Sequence, residues 1–501
     1  MLENIALGFG QLLHPTVFIA LFFGVVVGLI VGALPGLNDS ITMAVLIPVT
    51  FGMDPQIALA LLVGIYVAAC YGGSIPAILL NIPGTASSVV TCLDGYKMTQ
   101  KGQSGLALGI STTSSVFGGL YSSLVLMFLA PFLAIQALRF GPPEYFSLAI
   151  MGISTVVGMA GKDLLKSLII SVLGLVISTI GMSPQVGYPR FTFGIDYLYD
   201  GIPLVPMLIG LFGVTSVLEL ADTIKNDLLS KANLDIKKIG RMLPDKKMVK
   251  RLLPVWLTSG TIGNIIGIIP GAGMIMAIYM AYDQAKRRNK DKEFGTGIPE
   301  GVAAPETANN AVVASSMVPL MALGVPGNST SALFIGALMI QGMRPGPSLF
   351  KDFPEVAYLI IAAFFVGNLL MGPLGLALGK FMSSSILRLN RYLLNGVIIL
   401  LCVTGAYSVR NSTFDVWIMI IFGVISYVLN KIKFSLTPII LPLILGPMME
   451  QNLQQSLILS KGSWSIFFTS PISLGLLIVS ALFLLAPVWK AIKEKRKAKV
   501  A

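Results

Sequence analysis

Charged side chains make up only 12% of the 501 residues. That is about half the share of a soluble globule, and it excludes an ordinary water-soluble domain. Histidine is nearly missing, with His14 standing alone. The three cysteines, Cys70, Cys92 and Cys402, sit among apolar or small residues without metal-ligand spacing, so neither a disulfide framework nor a Cys/His metal centre is implied. No H-E-x-x-H, G-x-x-x-x-G-K-[ST] or G-x-S-x-G pattern occurs, which removes zinc hydrolysis, an ATP-driven pump and a serine hydrolase. No catalytic residue is nominated, and the chain is not expected to be an enzyme or to carry a cofactor. The first 14 residues hold no Lys or Arg, unlike the basic start of a cleaved signal peptide. The apolar run after them is expected to stay as the first membrane segment.

What is present is apolar. Hydrophobic residues reach 55% and the mean hydropathy is +0.83. Long apolar runs occupy residues 16–34, 57–80, 116–138, 164–180, 397–403, 416–429 and 472–485. Several approach the ~20 residues that cross a bilayer as a helix, and none alternates as a membrane strand does. The expected fold is therefore an all-α polytopic membrane protein with about ten to fourteen spanning or re-entrant segments. The net charge of +12 is read through the positive-inside rule rather than as a nucleic-acid footprint. Its clusters lie at 225–251, in "KRRNKDK" at 286–292 and in "KEKRKAK" at 493–499. The lipid bilayer is the expected partner, and nucleic acid is not.

Comparison at fixed offset shows an internal duplication. "GLIVGALPG" at 28–36 matches "GNIIGIIPG" at 263–271, and "IPAILLNIPGTASS" at 75–88 matches "VPLMALGVPGNSTS" at 318–331. The expected organisation is a first membrane repeat at 1–235, a basic cytoplasmic seam at 236–254 and a second repeat at 255–470. An extra membrane helix with a basic cytoplasmic tail follows at 471–501. The N-terminus and the loop at 51–55 lack basic residues, whereas their counterparts, the seam and 286–292, are rich in them. Corresponding points thus fall on opposite sides of the cell membrane. This is an inverted repeat, with the N-terminus outside and the C-terminus cytoplasmic.

The duplicated Pro-Gly pairs interrupt apolar stretches. Each break frees backbone carbonyls and N–H groups, which lipid tolerates only where protein or a polar cavity covers them. Helix N-termini suit an anion and free carbonyls suit a small cation. Discontinuous helices meeting near the midplane are how secondary transporters build such sites. An isolated Pro-Gly would be an ordinary kink, but two in corresponding positions, each followed by small polar residues, point to a binding site. The candidate substrate-binding residues are Asn38, Asp39 and Ser40; Asn81, Gly84, Thr85, Ala86, Ser87 and Ser88; Gly271, Ala272 and Gly273; and Gly327, Asn328, Ser329, Thr330 and Ser331. Asp39 has no acidic counterpart in the second copy, which reads Pro270-Gly271-Ala272-Gly273-Met274. Candidates for binding a coupling ion or for gating are Pro35, Gly36, Pro83, Pro270, Gly324 and Pro326, together with Glu306, Asn309 and Asn310. These last three share one helix face at i, i+3 and i+4. The bland alternative for 299–316 is an amphipathic cytoplasmic segment.

The motifs "GALPGLNDS", "NIPGTASS", "IPGAG", "EGVAAPETANNA", "LGVPGNSTSALFIGALMIQGMRPGPSLF" and "LILGPMMEQNLQQSLILSKG" resemble the large membrane subunit of the tripartite tricarboxylate transporters, the TctA family, from about residue 20 to 470. The resemblance implies ion-gradient-driven import of a carboxylate, with citrate, other di- and tricarboxylates and some aromatic acids as the substrate class. It also implies a small four-helix membrane subunit and an extracytoplasmic solute-binding protein. Pro35, Gly36, Pro83, Gly84, Pro270, Gly271, Pro326, Gly327, Glu300, Glu306, Asn309 and Asn310 occupy the family's motif positions. Two positions depart from it: Met274 follows Gly273 where a second Gly is usual, and Asn38 stands where a Gly or small residue is expected. The expected coupling ion is Na+, with protons as the alternative. The competing functions are a stand-alone organic-anion permease and a passive channel.

Overall fold

The computed structural model describes residues 2–34, 37–159, 164–183, 186–225, 240–271, 273–385, 391–434 and 437–500. Pro35, Gly36, Ala272 and residues 236–239 of the expected seam lie outside the described residues.

The first part of the chain runs through α1 (Leu2–Leu12), α2 (Pro15–Gly32), α3 (Asp39–Leu46), α4 (Pro55–Gly72), α5 (Ser74–Leu80), α6 (Val89–Gln100), α7 (Ser104–Ala137), α8 (Pro142–Met159) and α9 (Leu164–Ser178). A two-strand hairpin follows, β1 (Gly181–Met182) and β2 (Pro189–Arg190), then α10 (Leu204–Leu208), a π-helical stretch at Ile209–Val214 and α11 (Thr215–Lys225). The second part runs through α12 (Lys246–Ile268), α13 (Met274–Arg288), α14 (Pro299–Ser315), α15 (Met317–Leu323), α16 (Ser329–Ile340), α17 (Pro347–Asp352), α18 (Pro354–Ser385), α19 (Arg391–Arg410), α20 (Thr413–Lys431) and α21 (Thr437–Leu459). It closes with α22 (Ile466–Thr469) and α23 (Pro471–Val500).

Among the described residues, six helices are long and apolar enough to cross a membrane, and five shorter apolar helices accompany them. Together they fall within the expected number of segments. The outer surfaces are apolar, as lipid requires: Leu165, Leu168, Val172 and Val176 on α9, and Trp417, Ile421, Val424 and Val428 on α20, are all exposed. The architecture is that of an all-α multi-pass membrane protein.

Local sequence explains the starts. Pro15, Pro55 and Pro299 open α2, α4 and α14, where a missing N–H costs nothing. Asn38 caps α3 by accepting the Ile41 N–H at 2.8 Å, so the departure from a small residue there has a structural use. Small residues then set the packing. A Cβ on Gly28 of α2 would lie 2.6 Å from the Ile65 carbonyl oxygen on α4. On Gly263 of α12 it would lie 2.6 Å from the Ala308 carbonyl oxygen on α14. The same close, glycine-lined crossing is thus built twice.

The outer helices exchange partners. The 204–225 segment packs on α19 and α20, with Thr215 donating to the Gly423 carbonyl at 3.2 Å and Ser426 to the Leu211 carbonyl at 3.0 Å. Reciprocally, α21 packs on α8 and α9, with Ser171 donating to the Pro438 carbonyl at 3.2 Å. In the middle, every residue of α14 from Glu300 to Ser315 is buried. This corrects the amphipathic alternative: α14 is a central helix.

Candidate functional site

Both Pro-Gly breaks are hairpin turns rather than kinks. Helix α5 ends on Asn81 and α15 on Gly324, each in the left-handed region (φ 58° and 77°). The next N–H turns back: Ile82 to the Pro76 carbonyl at 3.4 Å, Val325 to the Pro319 carbonyl at 3.2 Å. The chain returns through Pro83 or Pro326 until Gly84 donates to the Gly73 carbonyl (3.1 Å) and Gly327 to the Ser316 carbonyl (3.3 Å). A capping box then starts the next helix in each copy, Thr85 with Ser88 and Asn328 with Ser331. Every pair is related by 243 positions in the sequence. The pattern that the duplicated letters suggested is duplicated in hydrogen bonds.

Each polar tip is laid against the opposite half of the chain. Thr330 donates to Asp39 Oδ2 at 2.5 Å, and its hydroxyl lies 2.8 Å from that of Ser40. Asn328 Nδ2 donates to the Tyr66 hydroxyl at 2.8 Å, and Tyr66 also lies 3.0 Å from the Ser316 hydroxyl. The other tip closes on itself, with Thr85 and Ser87 hydroxyls 2.8 Å apart, and packs on α13 and α14. Beside the second tip, Gly271 (φ +73°) donates to the Gly327 carbonyl at 2.9 Å. Gly273 (φ +76°) leads into α13. Ser329 is half-buried at the start of α16, whereas Ala86 and Asn81 are exposed. Asn81 serves as the C-cap of α5. Among the described residues no basic side chain pairs with Asp39.

Helix α14 crosses this region. Asn309, which occupies the position corresponding to Tyr66, donates to the Cys70 carbonyl at 3.1 Å, and its Oδ1 has no partner. Asn310 bonds back to the Glu306 carbonyl at 3.4 Å. Glu306 accepts hydroxyls from Ser74 (2.6 Å), Thr91 (2.5 Å) and Ser115 (3.0 Å), all from the first half. Glu300, at the head of α14, is instead gripped by Arg251 through two bonds (2.5 and 2.7 Å) and by Lys292 at 2.6 Å. That motif acid is tied into a salt-bridge cluster.

Sequence reading passed over several residues. Tyr66 joins the two halves at Asn328. Asp94 lies wholly buried under the loop before α14. Arg190 and Arg410 line a cavity of about 840 Å³ with Phe51, Tyr199, Asp200 and Ile340. The cavity abuts the far end of α16 from Asn328. Arg190 is bound to Glu450 through two bonds (2.5 and 3.0 Å), and Arg410 holds Asp415 in the same way. Replacing Arg190 with Gln leaves the largely covered Glu450 carboxylate unpaired. With the pair partly exposed, the expected loss is about 1–2 kcal/mol. Detergent unfolding of the single variant and of the double variant R190Q/E450Q checks this, since the second change should return most of the loss.

The model of the family described as tripartite tricarboxylate transporter TctA family matches residues 18–441. An uncharacterized 52.8 kDa protein in the TAR-I ttuC' 3'region of Agrobacterium vitis is 36% identical over 498 residues, covering 99% of this chain and 98% of that protein. An uncharacterized protein in the TAR-II ttuC' 3'region of the same organism is 35% identical over 235 residues, 47% of this chain and 97% of the relative. No solved structure matches.

Proposed function

The chain belongs to the tripartite tricarboxylate transporter TctA family, and on that premise we propose that it imports a di- or tricarboxylate by Na+-coupled secondary transport. In this reading it works with a small four-helix membrane subunit, and an extracytoplasmic binding protein delivers the anion. The observation that best supports it is the junction of the broken-helix tip Asn328–Thr330 with Asp39, Ser40 and Tyr66, residues from opposite halves of the chain. The N-terminal turn of α16 and the Thr85–Ser88 tip offer positive peptide dipoles and hydroxyls to the anion. The half-buried carboxylate of Asp39 and the buried one of Glu306, neither facing a basic side chain among the described residues, suit cation coupling.

The proposed arrangement is two inverted copies at 1–235 and 255–470, joined by the seam at 236–254, with 471–501 as an added helix and tail. The end of α6 carrying Lys97 meets the loop after α13, because Asp94 binds Gly295 and Gly297 there. The basic loop at 286–292 and Lys97 therefore share a face, which we place in the cytoplasm. The corresponding end of α16 meets Thr50, through Gln341 Nε2 at 3.1 Å, on a face without such a loop. We place that face and the N-terminus outside, so that the cavity beside Arg190 becomes the vestibule facing the binding protein.

The test is uptake of labelled citrate and a panel of other di- and tricarboxylates under an inward Na+ gradient, in vesicles holding all three components. Asn328→Ala and Thr85→Ala should each lower uptake at least about tenfold, as expected when a polar contact to a charged ligand is lost, with membrane levels unchanged. Wild-type uptake in both variants contradicts the reading. Full uptake without the binding protein favours a stand-alone permease, and non-saturable, gradient-independent flux a channel.

A further inference from the structure

Glu306 is 1% exposed, and all its hydrogen-bond partners are neutral hydroxyls. An unpaired carboxylate at that depth costs several kcal/mol unless something positive neutralises it. The surroundings already hold unused oxygen. Ser111 lies one helical turn before Ser115 on α7, beside the same carboxylate. It is completely buried, yet its hydroxyl makes no hydrogen bond of ordinary geometry. Asn310, one turn after Glu306 on α14, is also completely buried, and its Oδ1 has no partner. Buried acceptors are rarely left unmatched.

A carboxylate and four hydroxyls form a hard oxygen set suited to a small hard cation. A proton on Glu306 adds a single donor, whereas a metal cation can satisfy several orphaned oxygens together. Resting on the transport reading above, we propose that Glu306, with Ser74, Thr91, Ser111 and Ser115, is the seat of the coupling Na+. Its ligands come from both halves of the chain.

The location explains how ion and anion binding communicate. Ser74 directly follows Gly73, whose carbonyl holds Gly84 and so closes the first hairpin. Thr91 lies three residues after Ser88, on the same face of the helix that the Thr85–Ser88 cap begins. A cation at Glu306 draws both hydroxyls toward α14 and fixes the tip in place. Without it, the bare negative charge is left against the tip that must receive an anion. By linkage, the anion then raises Na+ affinity by the same factor as Na+ raises anion affinity.

The first measurement is thermal unfolding of the purified full chain, titrated with NaCl against KCl and choline chloride at constant ionic strength. Wild type should show a saturable rise in Tm with Na+ alone. Glu306→Gln, nearly identical in shape, should abolish it. Glu306→Asp should restore part of it at higher Na+. Ser111→Ala removes a hydroxyl beside the carboxylate, so it should move the Na+ midpoint up about tenfold, the weight of one ligand. A wild-type Na+ response in Glu306→Gln overturns the site, as does an equal response of wild type to all three salts. No Na+ response in wild type, with Tm changing only with pH, overturns it in favour of a proton. The transport reading is judged separately in vesicles. Na+-driven citrate uptake that survives in Glu306→Gln removes the site and leaves transport standing. Failure of wild type to accumulate any carboxylate removes the transport reading while the Tm titration still reports on the cation.

Discussion

Alanine at Asp94 is expected to destabilise the folded chain by about 3–5 kcal/mol, the cost of stranding four hydrogen-bond donors that one buried carboxylate now satisfies. The carboxylate is wholly inaccessible and comes from α6. It accepts the backbone N–H of Gly295 (3.0 Å to either oxygen), Gly297 (2.8 Å) and Ile298 (3.0 Å), and the Tyr282 hydroxyl at 2.8 Å. The loop can present three N–H groups to one carboxylate because Gly295 and Gly297 take φ of +88° and +96°, a region other residues enter only with strain. Removing the acceptor leaves those half-buried donors unmatched, each at up to about 1–3 kcal/mol before they relax. Asparagine keeps one acceptor and should lose roughly half as much. Unfolding in a graded denaturing detergent measures both variants against wild type. An alanine variant within about 1 kcal/mol of wild type, a difference typical of a surface change, contradicts the assignment of this bond set as the latch between the halves. The consequence reaches function, because the same loop leads directly into α14 and so sets the position of Glu306.

The repeat was legible because membrane helices that pack closely need Gly at fixed places, and a chain that turns back needs Pro and Gly. Those letters survive at offsets of 235 and 243, from Gly28/Gly263 to Gly84/Gly327. The buried, central character of 299–316 could be inferred from its small residues. What could not be read was anything that depends on the crossing of the two halves. Asp94 is held mainly by backbone N–H groups some 200 positions away, and backbone leaves no mark in the letters. Glu306 gathers one hydroxyl from each of α5, α6 and α7, three ordinary Ser/Thr among many. Tyr66 corresponds to Asn309, and unlike side chains at matched positions hide their equivalence. Asn81 ends α5 as its counterpart Gly324 ends α15, since Asn and Gly are the residues that most readily end a helix in the left-handed region.

Gly327→Ala is expected to reduce gradient-driven uptake at least about a hundredfold, equivalent to a loss near 3 kcal/mol. The added Cβ would sit 2.6 Å from the Gly267 carbonyl oxygen and 2.8 Å from the Ser316 Cα. Both neighbours are backbone, so no side chain can swing aside. The hairpin must open instead, breaking the Gly327–Ser316 bond and the Gly271 bond to the Gly327 carbonyl, and the strain falls in the usual overpacking range of 1–3 kcal/mol or somewhat above it. The displaced segment is the one that carries Asn328 and Thr330 to Tyr66 and Asp39. Gly84→Ala, whose Cβ would meet the Gly73 Cα at 2.6 Å and the Gly32 carbonyl oxygen at 3.0 Å, should behave alike. Gly475→Ala on α23, with nothing within 4 Å, should transport as wild type does. Initial rates of uptake, measured with whichever carboxylate of the panel wild type accumulates and normalised to chain inserted in the membrane, decide the matter. Equal rates in Gly327→Ala and Gly475→Ala would mean the hairpin can move without cost, and closure of that turn could not then be what positions the polar tip.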